Sequence, residues 1–216
     1  FSSVLYWLKS RSVGFTVFVI GGFLWFITFM TKSLMDVFIT SKVLRGVSPA
    51  LSPLFFGLRT GFLECLLVLL VFAKSSLRGL EWREAVGVGI GFGAAEALLL
   101  GFQSASTVLL FYLNPELLEL IPSEYRAAVE SRLSLSTLFV PAPIVERVSA
   151  LLIHVFSLAL IYCSVKTSSP SLFLTSFSLK VLVDYIAAYA QLNLDLTVLS
   201  NVYLLELVFA VIGVLC

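Results

Sequence analysis

Long apolar runs are the feature of this sequence that most constrains its fold. Six runs have about the twenty residues that an α-helix needs to cross the roughly 30 Å hydrocarbon core of a bilayer. They cover residues 13–31, 53–73, 86–113, 144–165, 172–192 and 196–216. Only 12% of the 216 residues are charged and 59% are hydrophobic, too little polar surface to cover a water-soluble globule. The sequence therefore predicts one domain, residues 1–216, that is an all-α, multi-pass transmembrane bundle of about six helices.

Two further segments are expected at the membrane surface. Residues 115–133 predict one interfacial helix, because Asn114 suits the N-cap, Pro115 suits the first helical position and acidic residues occupy the first turn. Residues 1–8, which include Trp7, are too short to cross. The formal net charge of +1 indicates no nucleic-acid partner. We expect an integral protein of the cell membrane whose partners are lipid and a membrane-protein substrate or partner subunit.

Charged residues inside the apolar runs are the candidates for function. Each costs at least ~2.5–3.5 kcal/mol at the centre of a membrane helix, so such residues face one another, water or a cavity. They are Arg59, Glu64, Glu96, Glu146, Arg147, His154, Lys180, Asp184 and Glu206.

The run over residues 144–165 carries the most informative pattern. Arg147, Ala150, His154 and Ser157 recur at spacings of three and four, so they share one helix face. The small residues of this stripe allow a neighbouring helix to approach closely. His154, the single histidine of the chain, has two interpretations: an interhelical hydrogen bond made by a neutral imidazole, or a role in a site.

The glycines at positions 87, 89, 91 and 93 are typical of a close-packing helix face. A nucleotide-binding loop is a weak alternative, because no strand precedes them. Glu96 follows in the same run and must be paired or protonated, which suits a proton relay, a metal ligand or a general base. Lys180 and Asp184, four residues apart, either neutralise each other as an intrahelical ion pair or belong to a site.

Four stretches together resemble the YhfC family of predicted intramembrane metalloproteases, which is related to the PrsW proteases and the CAAX prenyl protease superfamily. The stretch 146–157 resembles the family's Glu-Arg, Ala, His, Ser helix most specifically. The others are 57–65, which resembles a glycine-then-Glu-Glu helix; 89–97, a glycine-histidine-glycine segment ending in Glu-Ala; and 180–184, a His-x-x-x-Asp helix. The resemblance implies a hydrolytic site with catalytic residues at Glu64, His154, Lys180 and Asp184. A second polar cluster comprises Glu96, Glu146 and Arg147.

Several positions depart from the family pattern. Cys65 stands where the second glutamate is expected, and Phe92 and Lys180 stand where histidines are expected. A catalytic zinc usually has three protein ligands, most often including histidine. Here the only available set is His154 with Glu64 and Glu96, so we expect no tightly bound zinc and no other cofactor.

Three functional hypotheses follow. The first is a protease-like membrane protein, catalytically impaired, that binds a membrane segment or peptide in a polar cavity. If it is active, Glu64 would act as general base and His154 or Lys180 would stabilise the oxyanion. The second hypothesis is a non-enzymatic subunit or assembly factor. The third is a small proton-coupled transporter, although the internal repeats typical of transporters are not evident.

Overall fold

The computed structural model describes residues 13–216, apart from the side chains of Ser41, Ala128 and Arg132. The predicted interfacial segment at residues 1–8 lies outside this range. Within it the chain forms helices and no strand. The nine α-helices of residues 13–216 are α1 Phe15–Met35, α2 Ser41–Gly46, α3 Ser52–Thr60, α4 Leu67–Lys74, α5 Trp82–Leu113, α6 Ser123–Leu133, α7 Pro141–Thr167, α8 Pro170–Asn193 and α9 Leu199–Leu215.

Short π-helical and 3₁₀ segments join some of these helices into longer stretches. One π-helical segment, Asp36–Thr40, links α1 to α2, and another, Gly61–Leu66, links α3 to α4. Five resulting stretches are long and apolar enough to cross a bilayer, and α9 is a shorter apolar helix. The five are Phe15–Thr40, Pro49–Lys74, Trp82–Leu113, Thr137–Thr167 and Pro170–Asn193. The chain is thus an all-α, integral multi-pass membrane protein.

Local sequence explains where the long helices begin and end. Helix α5 starts with a capping box, in which the Glu84 side chain accepts a hydrogen bond of 2.8 Å from the backbone N–H of Glu81. Helices α7 and α8 each begin with proline, which has no backbone N–H to leave unpaired in the first turn. Helix α7 ends at Thr167, and the left-handed backbone of the next residue, Ser168 (φ 54°), turns the chain into α8.

Two segments differ from the sequence-based expectation. The apolar run 13–31 ends before Lys32, but the helix continues through Lys32 to Met35. Residues 115–133 form a 3₁₀ segment, Pro115–Leu120, and the separate helix α6 rather than one helix. The physical reason is Pro122, whose ring disfavours helical backbone at the preceding residue; Ile121 is accordingly extended, with φ −74° and ψ 132°.

Glycine contacts set the distances between the central helices. A Cβ atom on Gly91 of α5 would lie 2.1 Å from the carbonyl oxygen of Phe18 in α1, and one on Gly89 would lie 2.9 Å from the Cα atom of Val155 in α7. The predicted close-packing role of the α5 glycines is therefore confirmed, with the helix touching a different neighbour on each side. Gly57 brings α3 onto α8 in the same way, since its Cβ would lie 2.5 Å from the carbonyl oxygen of Val181.

The distribution of polarity differs from that in a water-soluble protein. Large apolar side chains on the outside are strongly exposed, whereas several charged side chains are buried. Glu64, His154 and Lys180 belong to the buried set. An apolar exterior requires lipid around it, while buried charges require internal partners.

Candidate functional site

A cavity of about 230 Å³ lies between the helices and is bounded by most of the intramembrane charges. Four carboxylates and three basic groups line it together with the single histidine. These residues come from α1, the Gly61–Leu66 segment, α5, α7 and α8, so the site exists only when these helices are packed together. The charged and histidine side chains are Lys32, Glu64, Glu96, Glu146, Arg147, His154, Lys180 and Asp184.

Glu64 lies at the floor of the cavity between two ammonium groups. Lys32 Nζ is 2.5 Å from Glu64 Oε1, and Lys180 Nζ is 2.6 Å from Glu64 Oε2. The side chains of Glu64 and Lys180 are only 4% and 5% exposed. Such burial is tolerable because opposite charges meet at hydrogen-bonding distance.

The backbone around Glu64 is π-helical. The segment Gly61–Leu66 interrupts the regular α-helical pattern between α3 and α4. Single π-helical turns inside longer helices occur frequently at functional sites. In this turn both Glu64 and Cys65 are buried, so the turn places two adjacent side chains in the interior. The Cys65 thiol lies 3.8 Å from the hydroxyl of Ser176 in α8.

His154 is held from both of its ring nitrogens. Nε2 lies 2.9 Å from Glu96 Oε2, and Nδ1 lies 3.2 Å from Lys180 Nζ. An ammonium group only donates hydrogen bonds and an ionised carboxylate only accepts them. A neutral imidazole protonated on Nε2 satisfies both contacts, since Nε2–H donates to Glu96 and Nδ1 accepts from Lys180.

Lys180 bridges Glu64 and His154, which make no direct hydrogen bond with each other. His154 Nδ1 and Glu64 Oε2 are 3.8 Å apart, which is too long for a hydrogen bond. Lys180 Nζ contacts both atoms. The four residues that the sequence assigns to catalysis therefore line one cavity, and three of them form a connected chain; their catalytic roles remain predictions.

The second polar cluster lies nearer the open side of the cavity. Arg147 contacts Glu96 Oε1 at 3.1 Å and also pairs with Glu146. The side chain of Glu146 is 37% exposed and that of Arg147 is 22% exposed, against 3% for His154. Exposure thus falls from Glu146 towards His154, which makes Glu64, His154 and Lys180 the closed end.

The other intramembrane charges do not belong to this chain of contacts. Arg59 pairs with Asp36 of the first π-helical segment. Within the described residues no ion pair joins Lys180 to Asp184, so the intrahelical ion pair considered from the sequence is not formed. Glu206 of α9 is buried but does not line the described cavity.

Two side chains of α1 belong to the site although the sequence did not single them out. Lys32 pairs with Glu64, and the indole N–H of Trp25 donates a 2.9 Å hydrogen bond to Glu96 Oε2. Trp25, Thr28, Phe29 and Lys32 all line the cavity and recur at spacings of three and four. This helical spacing is a signal that the sequence carries, but Lys32 stands directly after the first apolar run and so outside the predicted span.

The fold and the cavity define a class of protein, a polytopic helical membrane protein with a charged centre buried among its helices. The family model of the YhfC intramembrane metalloprotease matches residues 1–209. The chain belongs to this family, as its motifs suggested. No curated protein and no solved structure matches it.

The family name implies a metal ion, but the donor atoms of this chain are engaged in other contacts. Histidine binds a metal through an unprotonated ring nitrogen, and here Nδ1 faces the Lys180 ammonium while Nε2 faces Glu96. Both oxygens of Glu64 are paired with ammonium groups. No group of three metal-ligating side chains occurs in residues 13–216. The residues as arranged do not fit a zinc ion.

Proposed function

We propose that this protein is a catalytically impaired, protease-like membrane protein that binds a membrane segment or peptide in its polar cavity. The observation that carries the proposal is the pairing of Glu64 with Lys32 and Lys180. A carboxylate held between two cations is a weak general base for water, because proton uptake would leave both cations without their partner. Lys180 is likewise committed to Glu64 and His154 rather than free to stabilise an oxyanion.

We infer the mode of binding from the size of the cavity. Pockets for drug-sized molecules measure roughly 300–1,000 Å³, and this cavity measures about 230 Å³. It accommodates one or two polar groups of a ligand whose remaining surface stays in lipid. A transmembrane segment with a polar residue near its centre has this character. Its polar group would exchange an apolar environment for Arg147, Lys32 and the neighbouring carboxylates.

The test uses the purified chain in lipid nanodiscs and two single-span peptides. One peptide is a Leu/Ala helix, and the other carries Asp-Ser at its centre. Binding is measured by energy transfer between labels on the peptide and the protein. We expect the polar peptide to bind at least about tenfold more tightly, a difference of about 1.4 kcal/mol. Lys32→Met and Arg147→Met should remove this preference, because both basic groups face the cavity.

Two controls accompany the binding measurement. Lys74→Met changes an exposed lysine at the end of α4 and should leave the preference unchanged. Both peptides should also remain intact after prolonged incubation with Zn²⁺, as measured by mass spectrometry. Cleavage of either peptide by the purified chain that does not occur in buffer with Zn²⁺ alone would contradict the impairment, and equal binding of the two peptides would contradict the ligand class.

A further inference from the structure

We propose that Lys180 is a tethered cation that takes the position of a metal ion, and that removing its ammonium group creates a site for Zn²⁺ or Co²⁺. The inference rests on the proposed function and names the group that prevents a metal ion from binding at the closed end of the cavity. It is tested through metal binding on the purified chain, without peptide. Its failure and the failure of peptide binding are therefore distinguishable.

The contacts of Lys180 Nζ are those of a coordinated cation. The ammonium nitrogen lies 2.6 Å from a carboxylate oxygen of Glu64 and 3.2 Å from the Nδ1 atom of His154. Carboxylate oxygen and imidazole nitrogen are both ordinary ligands of zinc. Glu96 Oε2 lies 2.9 Å from the other nitrogen of the same ring, so it orients the imidazole rather than adding a third ligand. The ammonium thus sits between two potential metal ligands, Glu64 and His154.

Helix packing fixes the ammonium group in this place. One turn before Lys180, the Ser176 hydroxyl contacts the Ser157 hydroxyl at 2.6 Å and donates to its carbonyl oxygen at 3.0 Å. Both serines are buried, so α8 is tied to α7 next to the cavity. On its other side, α8 receives Gly57 of α3 against Val181. The backbone of α8 on both sides of Lys180 is therefore held against α7 and α3, and the Lys180 side chain is only 5% exposed.

The ammonium group of Lys180 compensates the charge of the buried Glu64 carboxylate. Glu64 and Lys180 are almost completely buried, and a buried carboxylate without a cationic partner is strongly disfavoured. A divalent metal would meet the same requirement, but it cannot share the position with an ammonium group of like charge. Removal of the ammonium should therefore free Glu64 Oε2 and His154 Nδ1 together.

The principal experiment compares Lys180→His with the unchanged chain in detergent micelles. Each protein is titrated with Co²⁺, whose visible absorption reports inner-sphere ligands. Histidine at this position would supply a second imidazole beside His154 and Glu64, a donor set of two histidines and a carboxylate known for catalytic zinc. We expect one Co²⁺ per chain in Lys180→His, bound at least about a hundredfold more tightly than by the unchanged chain.

Two further variants locate the ion and control for an added histidine. The double variant Lys180→His/His154→Ala should lose the tight Co²⁺ site. Lys74→His introduces the same residue at an exposed position of α4 and should bind Co²⁺ no better than the unchanged chain. Tight binding by the unchanged chain that depends on His154 would overturn the inference. Weak binding by folded Lys180→His would do the same.

A stability measurement covers the case in which Lys180→His folds poorly. Lys180→Gln removes the ammonium with little change in length and should unfold at a lower temperature than the unchanged chain. Added Co²⁺ should raise the unfolding temperature of this variant and leave that of the unchanged chain unaltered. If Co²⁺ restores the stability of neither Lys180 variant, a metal cannot take the place of the ammonium and the inference is wrong.

Discussion

Glu64 is the residue on which the charge balance of the closed end of the cavity depends. It is the shared partner of Lys32 and Lys180, which belong to different helices. Removal of one member of a buried ion pair is costly because the other charge stays behind without compensation. Here one substitution would leave two cations in that state.

Glu64→Gln should therefore destabilise the protein strongly. The change keeps the shape of the side chain, and we expect a loss of about 3–5 kcal/mol in the free energy of unfolding. Unfolding of the purified protein by sodium dodecyl sulfate in mixed micelles measures it. Glu116→Gln, at an exposed position of the 3₁₀ segment after α5, is the matched control and should change stability by less than about 0.5 kcal/mol. Equal effects of the two changes would contradict the buried ion-pair arrangement.

Trp25 presents a separate test at the residue scale. Trp25→Phe removes the N–H that donates to Glu96 while an aromatic ring remains to stack on Phe29. Hydrogen bonds to charged groups contribute about 1.5–3 kcal/mol, and we expect a loss in this range by the same unfolding measurement. Trp82→Phe is the control, because the indole N–H of Trp82 makes no hydrogen bond within the described residues. A larger effect at Trp82 than at Trp25 would argue against the bond to Glu96.

At the scale of elements, α5 organises the bundle because its glycines admit neighbours on two sides. Gly91 faces Phe18 of α1, and Gly89 and Gly93 face α7. These contacts bring Trp25 of α1 and His154 of α7 towards Glu96 of the intervening helix. The geometry of the second polar cluster therefore depends on glycines that carry no charge themselves.

Gly91→Ala should separate α1 from α5. The added methyl group would lie 2.1 Å from the carbonyl oxygen of Phe18, so backbone has to move, and overpacking of this kind costs about 1–3 kcal/mol. Gly101→Ala lies in the same helix, where the added methyl would have no atom within 4 Å. Because alanine favours helix over glycine by up to about 1 kcal/mol, this control should be neutral or stabilising. Unfolding in mixed micelles distinguishes the two, and a Gly91→Ala variant as stable as Gly101→Ala would refute the close contact.

For the whole molecule, the apolar exterior and the buried charges both follow from the fact that the solvent is lipid. Lipid offers no hydrogen bonds and stabilises no charge, so polar groups collect where helices satisfy one another. The exposed face of α5 carries the apolar side chains Leu98 and Phe102, and we expect it to contact hydrocarbon.

Leu98→Arg should consequently impair membrane insertion. Leu98 is exposed and lies near the middle of α5, where a lipid-facing arginine costs at least ~2.5–3.5 kcal/mol on insertion scales. Leu120→Arg, at an exposed residue of the segment Pro115–Leu120, is the control and should insert normally. The fraction of chain integrated into microsomal membranes measures the difference. Normal insertion of Leu98→Arg would show that this face of α5 is not in contact with lipid.

The class of fold and the residues from which a site could be built are both predictable from the amino-acid sequence. Runs of about twenty apolar residues dictate membrane-spanning helices because backbone hydrogen bonds must be satisfied within each segment. Glu64, Glu96, His154, Lys180 and Asp184 could be selected from the cost of charge in lipid alone. The family resemblance followed from the order of the motifs and is confirmed by the family match over residues 1–209.

Which of these charges form ion pairs depends on how the helices pack, and the sequence does not show this. Helical spacing allows an ion pair between Lys180 and Asp184. In the packed bundle Lys180 instead contacts Glu64 and His154, which lie on other helical segments. Lys32 follows the first apolar run in the sequence, and it joins the site because α1 continues past it and lies beside the π-helical turn that contains Glu64. Pairing between helices depends on their relative rotation and separation, which are set by contacts such as Gly91 with Phe18. Spacing within one helix carries no information about that geometry.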